Sequence, residues 1–406
     1  MTQQQLGPAS APATVPVAEP GAGPRSRSAR LRAAAPLLTA LALFAAVRLA
    51  GVVAMTVAAS LTGKRSGAAL LGRSWDSLWY LRIAADGYGR SVHYKPGIIF
   101  NDLAFFPLYP GLVRAVGTVL PLSGGAAGML IAWTASLAAA AGIYAIGVRL
   151  HSRPVAVFLV LLWGLLPHSV ILTMAYTEPL LTAFAAWSLY AVLTGRWIWA
   201  GTLASLAGVS RPNGFAVAAA VLVTAAYEVI HKRGRNVSHR LWTGAAIAPL
   251  GWTGYVLWVG VQRGDPLGGY FAVQRDWGSR FDYGVGALRV VRHLLLQGDR
   301  FVYPVTLLIV LAAVLLFALL IAERAAPLPL IVYSGVLLLI ALGGAGFFPS
   351  KPRFLLPAFP LLLPPALALA RTAKARPRSA LLVTGALAGL SLAYGTYLVA
   401  FAHRPL

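Results

Sequence analysis

An acid set among aromatic rings stands in the run Ser74-Trp75-Asp76-Ser77-Leu78-Trp79-Tyr80, which continues through Arg82, Ile83 and Asp86 to Gly87-Tyr88. A carboxylate held beside Trp75, Trp79 and Tyr80 at a membrane surface is suited to taking a proton from a hydroxyl, the work of a general base. A local explanation competes. Ser74 or Asp76 caps a short interfacial helix whose apolar face is Trp75, Leu78, Trp79 and Ile83.

Further along, Pro167-His168 is followed by Tyr176-Thr177-Glu178-Pro179. An ionisable group at membrane depth is costly and by default a functional candidate, whereas Thr177 or Glu178 as a helix cap is the plain alternative. Ser210-Arg211-Pro212-Asn213-Gly214 interrupts an apolar region. Pro, Asn and Gly there are explained by a tight turn, but Arg211 is not required by it. A guanidinium beside free backbone N–H groups, with Asn213 next to it, can hold a phosphate. Ser350-Lys351-Pro352-Arg353-Phe354 and Gln274-Arg275-Asp276-Trp277 offer more cations for a lipid phosphate, or ordinary interface anchors. Arg48 either snorkels outward or meets the same phosphate. With no cysteine, no HExxH motif, no paired histidines at helical spacing and no Walker-type glycine loop, the sequence points to no metal, no cofactor and no nucleotide hydrolysis.

These residues must be positioned by membrane spans. Of the 406 residues 58% are apolar and 11% charged, too little polar surface for a soluble chain of this length. Apolar runs of about 17 to 25 residues recur nearly to the C-terminus. They fall at about 36–61, 126–148, 154–173, 179–194, 197–210, 213–230, 241–262, 301–322, 327–345, 353–370 and 379–401. The net charge of +23 is spread over short loops rather than gathered in one basic domain, so it reads as membrane topology and attraction to anionic lipid, not nucleic-acid binding.

Residues 1–34, rich in Ala and Pro and carrying Arg25, Arg27, Arg30 and Arg32, form a disordered cytoplasmic tail by this reading. Residues 35–406 form a single polytopic domain. The short basic loops, with Arg149, Arg196, Lys232, Arg324 and Arg371 among their residues, then lie inside. Two long loops, about 62–125 and 263–300, lie outside with most of the acids, Asp299 included.

Taken in order, Trp75-Asp76 with Trp79-Tyr80 and Gly87-Tyr88, Phe106-Pro107-Leu108-Tyr109-Pro110, Tyr176-Thr177-Glu178 and Arg211-Pro212-Asn213-Gly214 resemble the PIG-V mannosyltransferase family, whose members belong to the GT-C class of polytopic glycosyltransferases. The resemblance covers roughly residues 36–360. It implies an all-α polytopic membrane protein, a GT-C-like bundle of about eleven transmembrane helices with interfacial helices in its long first extracytoplasmic loop. It also implies a multi-pass protein of the cell membrane, with a cytoplasmic N-terminus and an extracytoplasmic active site. There it performs an inverting transfer of a sugar, mannose by this likeness, from a polyprenyl-phosphate donor to a glycan, glycolipid or protein hydroxyl. Asp76 takes the position of the base, and Glu178 and Arg211 fall in motifs near the active cavity. His168, Lys351, Arg353, Trp75, Trp79, Tyr80 and Asn213 complete the candidate substrate and phosphate contacts. The rival is a carrier or flippase for lipid-linked saccharides, which would place polar groups near mid-membrane on several spans instead of at span ends.

Overall fold

The computed structural model describes residues 27–63, 66–95, 98–235, 237–297, 301–323 and 326–402, without the side chains of 27–33, 94 and 95. Most of the tail expected at 1–34, and with it Arg25, Asp299 and Arg324, lies outside the described residues. Helix α1, Arg27–Leu61, begins before the predicted tail ends. The alanine-rich stretch ahead of Pro36 is a good helix former and extends the span backwards.

After α1 the first long loop holds α2 (Gly67–Gly72), α3 (Asp76–Asp86) and α4 (Leu108–Val119), the short helices expected there. It also holds a hairpin that departs from an all-helical chain: β1 (Ser91–Lys95) pairs antiparallel with β2 (Ile98–Asn101), with Ser91 opposite Asn101. Buried Asp102 ends the hairpin by accepting the backbone N–H groups of Gly89 at 3.0 Å and Arg90 at 2.8 Å.

The bundle continues through α5 (Gly124–Leu150), α6 (Arg153–Gly164), α7 (Glu178–Leu193), α8 (Trp197–Ser210), α9 (Phe215–His231), α10 (His239–Ile247) and α11 (Leu250–Gln262). The second long loop carries α12 (Gly269–Asp276) and α13 (Val285–Gln297). Then come α14 (Val302–Ala322), α15 (Leu328–Gly343), α16 (Lys351–Leu355), α17 (Leu363–Ala375) and α18 (Pro377–Ala400).

Six of these segments are long and apolar enough to cross a bilayer, among them Ala34–Leu61, Gly124–Leu150 and Val302–Ala322. Phe348–Leu355 and Phe359–Ala375 reach that length and apolarity only together and meet at 76°, the form of a crossing broken midway or of a re-entrant loop. Four shorter apolar helices, Arg153–Gly164, Glu178–Leu193, Trp197–Ser210 and Leu328–Gly343, fill the remaining predicted positions. The protein is therefore a polytopic, almost wholly helical membrane bundle. The span expected at 154–173 stops at Gly164. Beyond it the chain runs irregularly, with one 3-10 turn at Ser169–Thr173, to the start of α7.

Small residues set the packing. A Cβ on Gly142 of α5 would stand 2.9 Å from the Cβ of Ala186 on α7, so only glycine lets these two helices approach as they do. Backbone carbonyls freed at the bend between α16 and α17 find donors on other helices: Trp163 Nε1 donates to the Leu356 carbonyl at 3.1 Å and the Tyr333 hydroxyl to that of Pro357 at 3.1 Å. Irregular backbone inside an apolar bundle needs such partners, because no solvent is there to supply them.

Candidate active site

Helix α3 starts abruptly. Trp75, just before Asp76, has φ 48°, a left-handed value that is strained for any residue but glycine. Its side chain packs against the main core. Neither Ser74 nor Asp76 caps the helix: the N-cap position is Trp75 and no side chain bonds the first turn. The face of α3 buried against the protein is Ser77, Tyr80, Ile83 and Ala84, so of the apolar set Trp75, Leu78, Trp79 and Ile83 only Ile83 is fully turned inward. Leu78 is exposed, because α3 docks on α4 and α5 and so turns its Tyr80 side inward. Tyr80 meets Phe105 and Tyr109 edge to face, while Trp79 stacks on Phe105 and meets Trp277 edge on.

Three other chain breaks bring charges to Asp76. Glu178 is the first residue of α7, Arg211 lies between α8 and the turn Pro212–Gly214, and Arg353 is in α16 just before the bend into α17. Arg353 Nη1 lies 2.7 Å from Asp76 Oδ2, and its Nε lies 3.1 Å from Glu178 Oε1. Arg211 Nη1 forms a second ion pair with the same Glu178 oxygen. It also donates to Thr177 Oγ1 at 3.0 Å, and that hydroxyl shares a hydrogen bond with Tyr80. Thr177 holds the N-cap position of α7, as its place before Glu178 suggests, but its hydroxyl makes no capping bond and instead relays between Arg211 and α3.

The hub is flanked by rings. The Arg353 guanidinium sits 5.4 Å from the centres of both Tyr176 and Phe354, and Arg211 sits 5.7 Å from Phe354. Such faces stabilise a desolvated cation. Burial is uneven. The Glu178 side chain is fully buried and that of Arg353 nearly so, whereas 23% of the Asp76 side chain is accessible. Asp76 is therefore the member of the hub that an incoming molecule can reach. Burial among these groups pushes the Tyr80 hydroxyl up to about 12, so it stays protonated at ordinary pH and serves as a neutral hydrogen-bonding group.

No family model and no curated protein matches the sequence. Among solved structures, ArnT from Cupriavidus metallidurans bound to undecaprenyl phosphate aligns with a TM-score of 0.54 and 16% identity, over 86% of this chain and 63% of that one. The two chains share a fold. An Archaeoglobus fulgidus oligosaccharyltransferase in its apo form aligns at TM-score 0.48 and 16% identity, over 89% of this chain and 55% of that one. The chain spans less than two thirds of the length of either protein.

Within this fold the remaining sequence candidates divide. Lys351 does not join the hub. Its ammonium donates to the carbonyls of Ala341 and, at 2.8 Å, Gly344, closing the C-terminal end of α15. His168 is buried against Tyr394, with ring centres 5.4 Å apart and neither ring nitrogen hydrogen-bonded. Asn213 is buried in the turn beside Arg211, which Trp252 pins by donating to the Pro212 carbonyl at 3.0 Å. Arg48 does not snorkel: it is buried between α1 and α18, with Ser391 accepting its hydrogen bond at 3.4 Å. Sequence reasoning missed Tyr176, Thr177 and Phe354 as hub residues. The signal was proximity, since each lies within two residues of a charged residue at a chain break.

Proposed function

We propose that this chain is an inverting glycosyltransferase that moves a sugar from a polyprenyl-phosphate donor to an acceptor hydroxyl at the extracytoplasmic membrane face, with Asp76 as general base. The observation that carries the reading is the asymmetry of the hub: one accessible carboxylate held by a buried arginine, backed by a buried second ion pair. In the proposed reaction Asp76 accepts the proton of the acceptor hydroxyl as its oxygen attacks the anomeric carbon. The bond between that carbon and the phosphate oxygen breaks on the opposite face, leaving polyprenyl phosphate and an inverted glycoside. The departing oxygen belongs to a phosphate, which carries charge well, so Arg353 and Arg211 can favour the charged product electrostatically.

The undecaprenyl phosphate in the ArnT structure supports a polyprenyl phosphate as carrier, and the motif resemblance supports mannose. Membranes containing this chain, supplied with radiolabelled polyprenyl-phosphate mannose and an acceptor extract, are expected to form a labelled product that is lost with Asp76→Asn. Equal transfer by that variant would remove Asp76 from its role. Movement of the lipid-linked sugar across liposomes with no new glycosidic bond would establish a carrier instead.

A further inference from the structure

The hub contains two guanidiniums and two carboxylates, so its charges balance. A second concentration of cations lies apart from it. Arg275 of α12, Arg280 from the segment between α12 and α13, and Arg289 of α13 line a cleft of about 420 Å³ together with Gly278, Asp282 and Gly346. None of the three arginines has a carboxylate partner among the described residues. Asp282, the acid in the cleft, is occupied locally, with Oδ1 accepting the N–H of Gly284 at 3.1 Å and Oδ2 that of Gly286 at 2.8 Å.

The cleft is built by two segments tied to each other. Asp282 N–H donates to the Gly343 carbonyl at 2.9 Å, and Ala345 N–H donates to that of Arg280 at 2.7 Å. Gly346, at φ 120°, passes so close to Gly278 that an added Cβ would lie 3.2 Å from its carbonyl oxygen. The irregular segment carrying Gly344–Gly346 leads directly into the one with Lys351 and Arg353, so the cleft adjoins in the chain the element that holds Arg353.

We propose that this cleft is an anion subsite for the acceptor: the molecule that receives the sugar carries a phosphate or carboxylate, which Arg275, Arg280 and Arg289 bind. The proposal rests on the glycosyl-transfer reading above. A sugar linked to a polyprenyl monophosphate has one charged group, bonded to the reacting carbon, and so must lie at the hub beside Asp76. The cleft contains none of the hub residues. Its charge is therefore matched to a different group, and the other reactant is the acceptor. Multiple arginines converging on one anion give strong, charge-assisted hydrogen bonds.

The test measures binding without turnover. The purified full chain in phosphatidylcholine nanodiscs is titrated with octyl mannoside 6-phosphate and with octyl mannoside, probes that differ by one phosphate. The wild-type chain is expected to prefer the phosphorylated probe by about tenfold at low salt, and less at high salt. The triple variant R275Q/R280Q/R289Q is expected to lose that preference while keeping its unfolding midpoint and its affinity for farnesyl phosphate. Equal binding of the two probes by the wild type, or an unchanged preference in the variant, overturns the proposal. A parallel loss of farnesyl phosphate binding also overturns it, by assigning the cleft to the carrier. So does abolition of the preference by phosphatidylglycerol in the disc, which would make the cleft a site for bulk lipid. A chain that prefers the phosphorylated probe yet transfers no sugar would refute the transferase reading and leave the anion subsite standing.

Discussion

Glu178 is the residue whose removal tests the hub most sharply. Its fully buried carboxylate meets both Arg211 and Arg353, whose side chains are 7% and 8% exposed. Glu178→Gln keeps the shape and removes the charge. Two buried guanidiniums would then share one carboxylate, that of Asp76, which pairs with Arg353 alone. Removing one partner of a buried ion pair costs about 3–5 kcal/mol, chiefly because a charge is left uncompensated. Since Asp76 still serves Arg353, the lower end applies, about 3 kcal/mol and roughly two decades in the unfolding equilibrium. Equilibrium unfolding in detergent micelles measures it. Adding Arg211→Gln to the same chain deletes the orphaned cation, so the double variant should recover at least about 1 kcal/mol relative to the sum of the single changes. A Glu178→Gln chain within about 0.5 kcal/mol of the wild type, or strictly additive substitutions, would refute the idea that Glu178 organises the two arginines.

Asp76→Asn should lower sugar transfer by about two to four decades while changing stability by less than about 1 kcal/mol, since the side chain is partly exposed and Arg353 retains Glu178; turnover and unfolding measured on one preparation separate the two. Lys351→Met should leave the donor KM unchanged and lower the unfolding midpoint, because the ammonium binds carbonyls of α15 and not the hub; a raised donor KM with intact stability would reverse that assignment. Burial raises the Tyr80 hydroxyl above its unfolded value of 10.0 to about 12, so its contribution to stability is complete below pH 10 and is lost as pH climbs from there to about 12. Comparing unfolding of wild type and Tyr80→Phe across that interval should show a shallower decline in the variant, and identical slopes would refute the assignment.

Much of the site was legible because charge beside apolar runs is expensive and seldom accidental. Asp76, Glu178, Arg211 and Arg353 each sit at a break between helices, and the structure brings all four together. The choice between Lys351 and Arg353 was not legible. They stand two residues apart on α16, about 200° around a helix, so only one can face Asp76, and composition does not say which. The orientation of α3 was hidden for a related reason: both of its faces carry aromatic residues, and the partner that selects Tyr80 over Leu78 comes from Phe105 and Tyr109, distant in the chain. The hairpin did leave a trace in Val92, Ile98, Ile99 and Phe100 around Pro96-Gly97, a turn dipeptide between strand formers. The cleft of arginines depends on backbone pairing between residues 280–282 and 343–345, which no local pattern announces.

The bend between α16 and α17 also bears on how the chain enters the bilayer. Its freed carbonyls at Leu356 and Pro357 depend on Trp163 of α6 and Tyr333 of α15, both made earlier in synthesis. Alone in hydrocarbon, this segment would expose unpaired backbone oxygens at a cost of several kcal/mol each. It cannot settle there as an independent unit. Insertion of this segment therefore waits on a surface prepared by the helices before it, and Arg353 reaches Asp76 only when that assembly is complete.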